Sequence, residues 1–414
     1  MRKARTVALL LALAASPPLS AGLPPVPVPA ENPITEPKRV LGKILFWDEQ
    51  LSSDGSVACG TCHRPGAGGA DPRAARHPGA DKGTIDDVMG SPGIVSLDDS
   101  GRPQAHALFG FDVQVTPRLS PSNFGALWAD ELFWDGRAGP EVKDPLTGKT
   151  AIARGGALEN QALAALLNET EMAKTGRTWA DVVADVGHAR PLALATNWPP
   201  DTAAAIERLE TYPALFEAAF GDAEITPLRI AFSLATYQRT LVADRTPYDR
   251  FAAGDTAALT GRALRGLRAF ESFHCSACHT PPLFTNNGFF HIGLRRADFD
   301  RGRENVTGDP EDAGEMKVPS LRNAALKSRF MHTGELTSLA AAIRFYINTV
   351  ALPERDGIPG TGLYTFNMSN VDETDLHAFI ATALVDPRVR DETFPFDRPT
   401  LATERRSSSP PASP

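Results

Sequence analysis

The sequence predicts a mainly α-helical protein of two domains with long loops. Ala-rich stretches with helical periodicity recur along the chain, whereas the alternation of apolar and polar residues that marks strands is scarce. Glycine (34 residues) and proline (35 residues) are abundant in the connections, as expected of long loops. A pentad of the form Cys-x-x-Cys-His occurs twice, about half the chain apart, which suggests an equivalent unit in each half.

The chain begins with a segment typical of an exported protein. A basic start (Met1–Arg5) precedes a short apolar run (Thr6–Ala15) and a stretch rich in small residues and proline. This order is that of a secretory signal peptide, so residues 1–21 are interpreted as one, cleaved near Ala21. The apolar run is too short for a membrane span, and no later stretch reaches about 18 apolar residues. We therefore expect no membrane span, with a retained N-terminal anchor as the alternative.

The rest of the chain is long enough for two domains with their own cores. Residues 22–38 are proline-rich and are predicted to form an extended arm. Residues 39–223 and 224–398 are predicted to be the N-terminal and C-terminal domains, with one pentad in each. The Ser/Pro-rich residues 399–414 are predicted to be a disordered tail.

Seven stretches carry the helical pattern, and some open at a recognisable signal, such as Thr226 before Pro227. The predicted helical stretches are 157–173, 179–187, 202–220, 227–243, 257–273, 336–348 and 373–384.

The charge of the chain restricts its partners. The formal net charge is −8, and removal of Arg2, Lys3 and Arg5 with the signal peptide makes it −11. An acidic protein is a poor ligand for nucleic acid. An acidic surface suits a basic redox partner, although it serves solubility equally well.

The two pentads have the sequence of c-type haem attachment sites. In such a site the two cysteines add to the vinyl groups of the haem, and the following histidine presents its imidazole to the iron. The sequence therefore predicts two covalently bound haem c groups and two cytochrome c-like haem domains. The predicted haem-binding residues are Cys59, Cys62, His63, Cys275, Cys278 and His279.

Other uses of two cysteine pairs explain less of the sequence. A zinc ribbon has its pairs roughly 15–20 residues apart, whereas Cys62 and Cys275 are 213 residues apart. Two disulfides are possible in an exported protein, but they do not account for His63 and His279. A thioredoxin-like motif needs only one pair. Because haem c is attached outside the cytoplasm, the pentads and the signal peptide together predict a periplasmic protein.

Short sequence blocks accompany the pentads in a fixed order between about residues 39 and 385. They are Leu41–Asp48, Phe133–Ala138, Leu158–Ala162, Glu171–Met172, Phe284–Thr285, Ile292–Leu294, Val318–Asn323, Met331–Gly334 and Phe345–Tyr346. In this order the blocks resemble those of the bacterial di-haem cytochrome c peroxidase family, which includes MauG.

The resemblance implies roles for residues that would otherwise attract no attention. It makes the N-terminal haem the site of reaction with peroxide and places Gln161 and Glu171 beside it, with Glu171 as the group that moves protons. It places Trp134 between the two haems as a relay. Without the resemblance, Glu171 would be interpreted as a solvated carboxylate and Trp134 as part of a core.

Tyr346 indicates the branch of the family. It falls where MauG-like proteins carry a tyrosine ligand to the C-terminal haem and where other peroxidases carry a methionine. An anionic oxygen ligand stabilises ferric and higher iron states, so this haem is predicted to transfer electrons and store oxidising equivalents. His77, on the loop after the first pentad, is either an additional ligand of the N-terminal haem or a surface histidine.

Two departures from the family pattern matter for the expected metal ion and protein substrate. Where the family often binds calcium, this chain has Leu119 and the segment Lys327–Arg329, and basic residues suit a hard cation poorly. A calcium ion is therefore not expected, although backbone carbonyls could still serve. Phe273 stands where MauG has a tryptophan that it uses to oxidise its protein substrate, so the same substrate is not expected.

These observations together predict a periplasmic di-haem oxidoreductase with hydrogen peroxide as its oxidant. Its electrons would come from a small redox protein (a cytochrome c or a cupredoxin) or from the side chains of a protein substrate, as in MauG. Assembly as a homodimer is left open. The alternative is a non-catalytic di-haem electron-transfer cytochrome in which His77 fills the last position on the first iron.

Overall fold

The computed structural model describes residues 22–79, 83–84, 86–259, 261–348 and 367–408. The predicted signal peptide (1–21) and the end of the predicted tail (409–414) lie outside these ranges. The helices are α1 (Glu36–Trp47), α2 (Cys59–Cys62), α3 (Ala157–Leu166), α4 (Trp179–His188), α5 (Pro200–Leu209), α6 (Tyr212–Phe220), α7 (Pro227–Arg239), α8 (Pro247–Ala252), α9 (Gly261–Ser272), α10 (Glu304–Thr307), α11 (Leu339–Asn348), α12 (Asn370–Ala378), α13 (Pro387–Arg390) and α14 (Ala402–Ser408).

Strands are short, and within the described residues they form two-stranded antiparallel sheets. The pairs are β1 (Ala75–His77) with β2 (Val88–Gly90), β3 (Pro92–Val95) with β4 (Val113–Val115), β5 (Val142–Lys143) with β6 (Thr150–Ile152), and β7 (Phe289–Phe290) with β8 (Met316–Lys317). The prediction of a mainly α-helical fold with long loops is confirmed. None of the described helices combines the length and the apolar character needed to cross a bilayer.

Each half is built on a pair of helices that cross at a glycine. A Cβ atom at Gly42 in α1 would lie 1.9 Å from the carbonyl oxygen of Ser233 in α7, and one at Gly266 in α9 would lie 1.9 Å from that of Asp375 in α12. In both pairs the Cβ of the aromatic residue four positions after that carbonyl would also lie within 3 Å, at 2.9 Å for Tyr237 and 2.7 Å for Phe379. Only glycine allows such an approach. This repeated crossing, which the sequence did not reveal, is a second internal repeat beside the pentads.

The boundary between the two hydrophobic cores lies further along the chain than the predicted domain boundary between residues 223 and 224. The first core contains α1, α3 and α6, but also Ile230, Leu234 and Tyr237 of α7. The second core runs from Tyr248 to Leu384. Although α7 was assigned to the second domain (224–398), its apolar face therefore packs in the first.

After the second core the chain returns to the first half. Phe396 and Leu401 are buried in the first core. The carboxylate of Glu49 accepts hydrogen bonds from the backbone N–H groups of Ala402 (2.7 Å) and Thr403 (3.1 Å) and so caps α14. Residues 399–408 thus differ from the predicted disordered tail, because a buried carboxylate satisfies the start of a helix there.

Each predicted helical stretch contains a helix, although the ends differ, and two of the differences concern the interior of a stretch or the site. The stretch 202–220 is two helices, because the Thr211 side chain caps α6 and Pro213 follows it. The stretch 157–173 stops at Leu166, and residues 168–173 turn around the backbone carbonyl of Asn168, which accepts N–H bonds from residues 171, 172 and 173. This turn shapes the site described next.

Candidate functional site

A cavity of about 770 Å³ lies between the two halves and is lined by residues of both. This volume is in the range of cofactor and substrate pockets. From the second half, Pro319 and His332 line it. Six of the predicted haem-binding and catalytic residues also line it, and they are Cys62, His63, His77, Trp134, Gln161 and Glu171. The fold therefore assembles the predicted site of the first half from segments more than 100 residues apart.

The loop after the first pentad orients the imidazole of His63. Nδ1 of His63 lies 3.1 Å from the carbonyl oxygen of Gly69. Gly68 and Gly69 have φ angles of +67° and +74°, a left-handed turn that brings this carbonyl back to the ring. Because Nδ1–H donates to the carbonyl, Nε2 keeps its lone pair. Burial lowers the pKa of His63, so the ring is neutral, as a metal ligand must be.

His279 in the second pentad has the same arrangement. Its Nδ1 lies 3.2 Å from the carbonyl oxygen of Phe284 and 3.1 Å from that of Pro319, which again leaves Nε2 for a metal. The four cysteines are free thiols, so neither pentad forms a disulfide. Among the described residues no cluster of three or more His, Cys, Asp or Glu side chains could hold a metal ion by itself. Both donor sets therefore fit a haem better than a zinc ion.

Glu171 is a partly buried residue whose carboxyl is held by its own loop. Oε1 accepts a hydrogen bond of 3.0 Å from the side-chain amide of Asn168. On the other side β3 packs closely on the loop, since a Cβ at Gly93 would lie 1.9 Å from the carbonyl oxygen of Thr170. Burial raises the pKa of Glu171 to about 7, although the positive charge of Arg137 acts in the opposite direction. At neutral pH this carboxyl can therefore both accept and donate a proton.

Trp134 is buried at the contact between the halves. Its indole N–H donates to the carbonyl oxygen of Leu119 (2.7 Å), and its own carbonyl accepts from the backbone N–H of Lys317 (2.7 Å). The ring meets that of His332 edge to face, with centroids 6.0 Å apart. Trp134 thus contacts both halves and lines the cavity.

An ion-pair network ties the halves together beside Trp134. Arg118 pairs with Asp135 of the same half (2.6 Å) and makes a two-bond pair with Asp300 of the second half (2.6 and 2.7 Å). The network is largely shielded from water, so removing one partner would leave the opposite charge buried and unpaired. It fixes the position of one half relative to the other at the cavity.

Comparison with known proteins assigns the family. Residues 36–257 match the family model described as "Di-haem cytochrome c peroxidase". The chain belongs to this family. It is 30% identical over 373 residues to the methylamine utilization protein MauG of Methylophilus methylotrophus, a match covering 87% of this chain and 89% of that protein. It is 29% identical over 420 residues to the cytochrome-c peroxidase IdrP1 of Denitromonas iodatirespirans, covering 92% and 91%.

A solved structure supports the fold. The crystal structure of a MauG-like protein associated with microbial copper homeostasis aligns with a TM-score of 0.63 at 23% identity, over 91% of this chain and 96% of that one. The predicted family and fold class are thereby confirmed, and the protein is an oxidoreductase of the di-haem peroxidase type, a family whose cofactor is haem.

His77 is oriented differently from the two pentad histidines of this di-haem peroxidase. It lies at the end of β1, and its Nδ1 accepts a hydrogen bond of 3.0 Å from the backbone N–H of Gly79. In a neutral ring the proton is then on Nε2, which makes that nitrogen a donor. The ring also packs edge to face on Phe109. In this conformation His77 lines the cavity but is not prepared to bind iron.

Tyr346 lies in the last turn of α11, near the second pentad. Burial raises the pKa of its phenol, and the nearby Cys278 and Cys275 add to the effect. A phenolate is therefore unfavourable here unless a cation compensates its charge, as a ferric iron would. Residues 349–366, which follow α11, lie outside the described residues, so the wall of the site on that side is not described.

Several residues of the site were not singled out from the sequence. Asn168, Arg118 and Lys317 line the cavity, and no motif marks them. Asn168 alone carried a signal, because asparagine favours turns in which its side chain bonds the backbone two residues on. Its side-chain oxygen accepts from the N–H of Thr170 at 2.9 Å, as such a turn requires.

Proposed function

We propose that the protein is a periplasmic enzyme that reduces hydrogen peroxide at its N-terminal haem. Its electrons would come from a small redox protein or from the side chains of a protein substrate, as the names of its peroxidase and MauG relatives suggest. The observation that carries the proposal is that Glu171, Gln161 and Trp134 share one cavity with His63. A partly buried carboxyl that shares the cavity with His63 suits peroxide reduction better than electron transfer alone.

The pentads would hold the two haems. Thioether bonds to Cys59 and Cys62 in one half and to Cys275 and Cys278 in the other would attach them covalently, and His63 and His279 would ligate the irons. When bound, haem supplies an iron that binds peroxide or exchanges electrons. We propose no calcium ion. The carbonyl of Leu119 is already the acceptor for Trp134, and burial lowers the pKa of Lys327 to about 8 without removing its basic character.

The protein's own groups would move the protons. Reduction of one hydrogen peroxide to two waters consumes two electrons and two protons. As a carboxylate, Glu171 can take the proton from the oxygen nearer the iron and return it to the leaving oxygen. The second proton comes from solvent. The amide of Gln161, on α3 at the wall of the cavity, would donate a hydrogen bond to the bound peroxide.

The electrons would cross between the halves at Trp134. Its indole donates to the carbonyl of Leu119 in the first half and packs on the ring of His332 in the second, while its main-chain carbonyl accepts from Lys317. The Tyr346 phenolate would ligate the C-terminal haem and stabilise its oxidised states. This ligand favours the MauG-like use of the enzyme, in which oxidising equivalents are stored and then delivered to a protein.

Peroxide consumption tests the proposed function. The protein is exported with its haems attached, reduced with an excess of a small cytochrome c or cupredoxin, and mixed with hydrogen peroxide. We expect two donor molecules to be oxidised for each peroxide consumed. Donor oxidation at the rate of a sample without the protein would contradict the proposal and favour an electron carrier.

Replacement of Tyr346 by Phe tests the ligand of the second haem. We expect the optical and EPR spectrum of the C-terminal haem to change and its reduction potential to rise, because an anionic oxygen ligand would be lost. The control is Tyr248→Phe, a buried tyrosine of the second core, which should leave the spectrum unchanged. An unchanged spectrum in Tyr346→Phe would show that another group binds this iron.

A further inference from the structure

Asn168 is the one side chain that the structure places in hydrogen-bond contact with the carboxyl of Glu171 in the described part of the chain. Its Nδ2 lies 3.0 Å from Oε1 of Glu171, and both residues line the cavity. From this contact we propose that Asn168 is a positioning residue that sets the orientation and the proton affinity of Glu171. The inference rests on the proposed function, in which Glu171 moves the protons.

The orientation of the Asn168 amide is determined by its surroundings. Its Oδ1 accepts the backbone N–H of Thr170 at 2.9 Å, so Nδ2 must face Glu171. The backbone carbonyl of Asn168 accepts the N–H groups of Glu171 (3.1 Å), Met172 (2.8 Å) and Ala173 (2.9 Å). One residue therefore holds both the backbone and the side chain of Glu171.

The contact has a chemical consequence for the carboxyl. The carbonyl oxygen of a protonated carboxyl is a better acceptor of an amide N–H than its hydroxyl oxygen, so the contact at Oε1 favours the proton of neutral Glu171 on Oε2. The same donor stabilises the charged form and opposes the effect of burial. Asn168 thus selects the oxygen that exchanges a proton with peroxide and keeps enough carboxylate present at neutral pH.

Two substitutions separate this role from a structural one. Asn168→Asp keeps an oxygen to accept the Thr170 N–H, and so keeps the turn, but it removes the donor to Glu171 and adds a negative charge. Asn168→Ala removes both contacts. Gln114→Ala serves as the control, because the Gln114 amide holds the same loop through the carbonyl of Glu169 (2.9 Å) without touching Glu171.

The measurement is the second-order rate constant of the holoenzyme with hydrogen peroxide from pH 5 to 9.5, alongside Glu171→Gln. A hydrogen bond from an amide N–H to a carboxylate lowers the midpoint of the pH profile by about one pH unit. Asn168→Ala should therefore react about tenfold more slowly at pH 6 and nearly normally at pH 9. Asn168→Asp should show a larger upward shift of the midpoint, and Gln114→Ala should keep the wild-type midpoint.

The outcomes distinguish this inference from the function on which it rests. Provided that Glu171→Gln is inactive, either of two results would overturn the role of Asn168. One is a wild-type pH profile in Asn168→Asp. The other is a decrease of the rate constant in Asn168→Asp and Asn168→Ala that is the same at every pH. Full activity in Glu171→Gln would instead refute the proposed role of Glu171, and that of Asn168 with it.

Discussion

Replacement of Glu171 by Gln is expected to slow the reaction with hydrogen peroxide by about 10²- to 10⁴-fold, the usual contribution of a positioned acid–base group. The amide has nearly the same shape and can still face Asn168, but it cannot take a proton from peroxide and return it. Stopped-flow mixing of the oxidised holoenzyme with peroxide measures this step directly.

The pH profile adds a second expectation for Glu171. Because burial raises the pKa of Glu171 to about 7, the carboxyl is protonated below that pH and cannot accept the first proton. The wild-type rate should therefore rise as the pH passes through about 7 and then level off, whereas Glu171→Gln should show no such rise. Glu169→Gln is the matched control, since this exposed carboxylate lies two residues away and bonds only within its loop. Equal loss in the two variants would mean that the loop, not the carboxyl, is responsible.

Replacement of Trp134 by Phe is expected to leave the reaction with peroxide nearly unchanged and to slow electron transfer between the halves at least about tenfold, or about 1.4 kcal/mol in the barrier. Phenylalanine preserves a buried ring but is much harder to oxidise than an indole. It also leaves the carbonyl of Leu119 without its donor, which should cost about 1–3 kcal/mol in the free energy of unfolding.

Rapid mixing of the half-reduced protein with peroxide separates these two effects. The oxidation of each haem is followed at its own wavelength, and chemical denaturation gives the stability. Trp128→Phe is the control, because this indole also donates to a backbone carbonyl, that of Pro24 at 3.1 Å, but does not line the cavity. Rapid oxidation of the second haem in Trp134→Phe would exclude the relay.

The sequence predicted the chemical groups of the site better than the contacts that position them. Cys-x-x-Cys-His is a local motif whose five consecutive residues carry the haem attachment by themselves. His63 and His279 could therefore be recognised without knowledge of the fold. The family, the fold class and the enzyme class inferred from the ordered blocks are confirmed. The roles of Glu171, Gln161, Trp134 and Tyr346 stay predictions until they are tested.

What the sequence did not reveal depends on contacts between distant residues. The crossings at Gly42 and Gly266 become visible only when the partner helix is known. The early end of α3 depends on Asn168, whose carbonyl and side chain together outweigh the helical pattern that continues to residue 173. The ordered segment 399–408 depends on the distant carboxylate of Glu49. Local propensity contains none of this information.

The central claim is that the two haem sites are unequal, with a reactive position in the first half and a filled one in the second. EPR and optical titration with hydrogen peroxide, before and after reduction by one electron, test it most directly. We predict a high-spin ferric signal from the His63 site that changes with about one equivalent of peroxide, beside a second signal that disappears when Tyr346 is replaced. Two low-spin signals that do not respond to peroxide in either state would contradict the claim, and would mean that His77 turns to fill the first site.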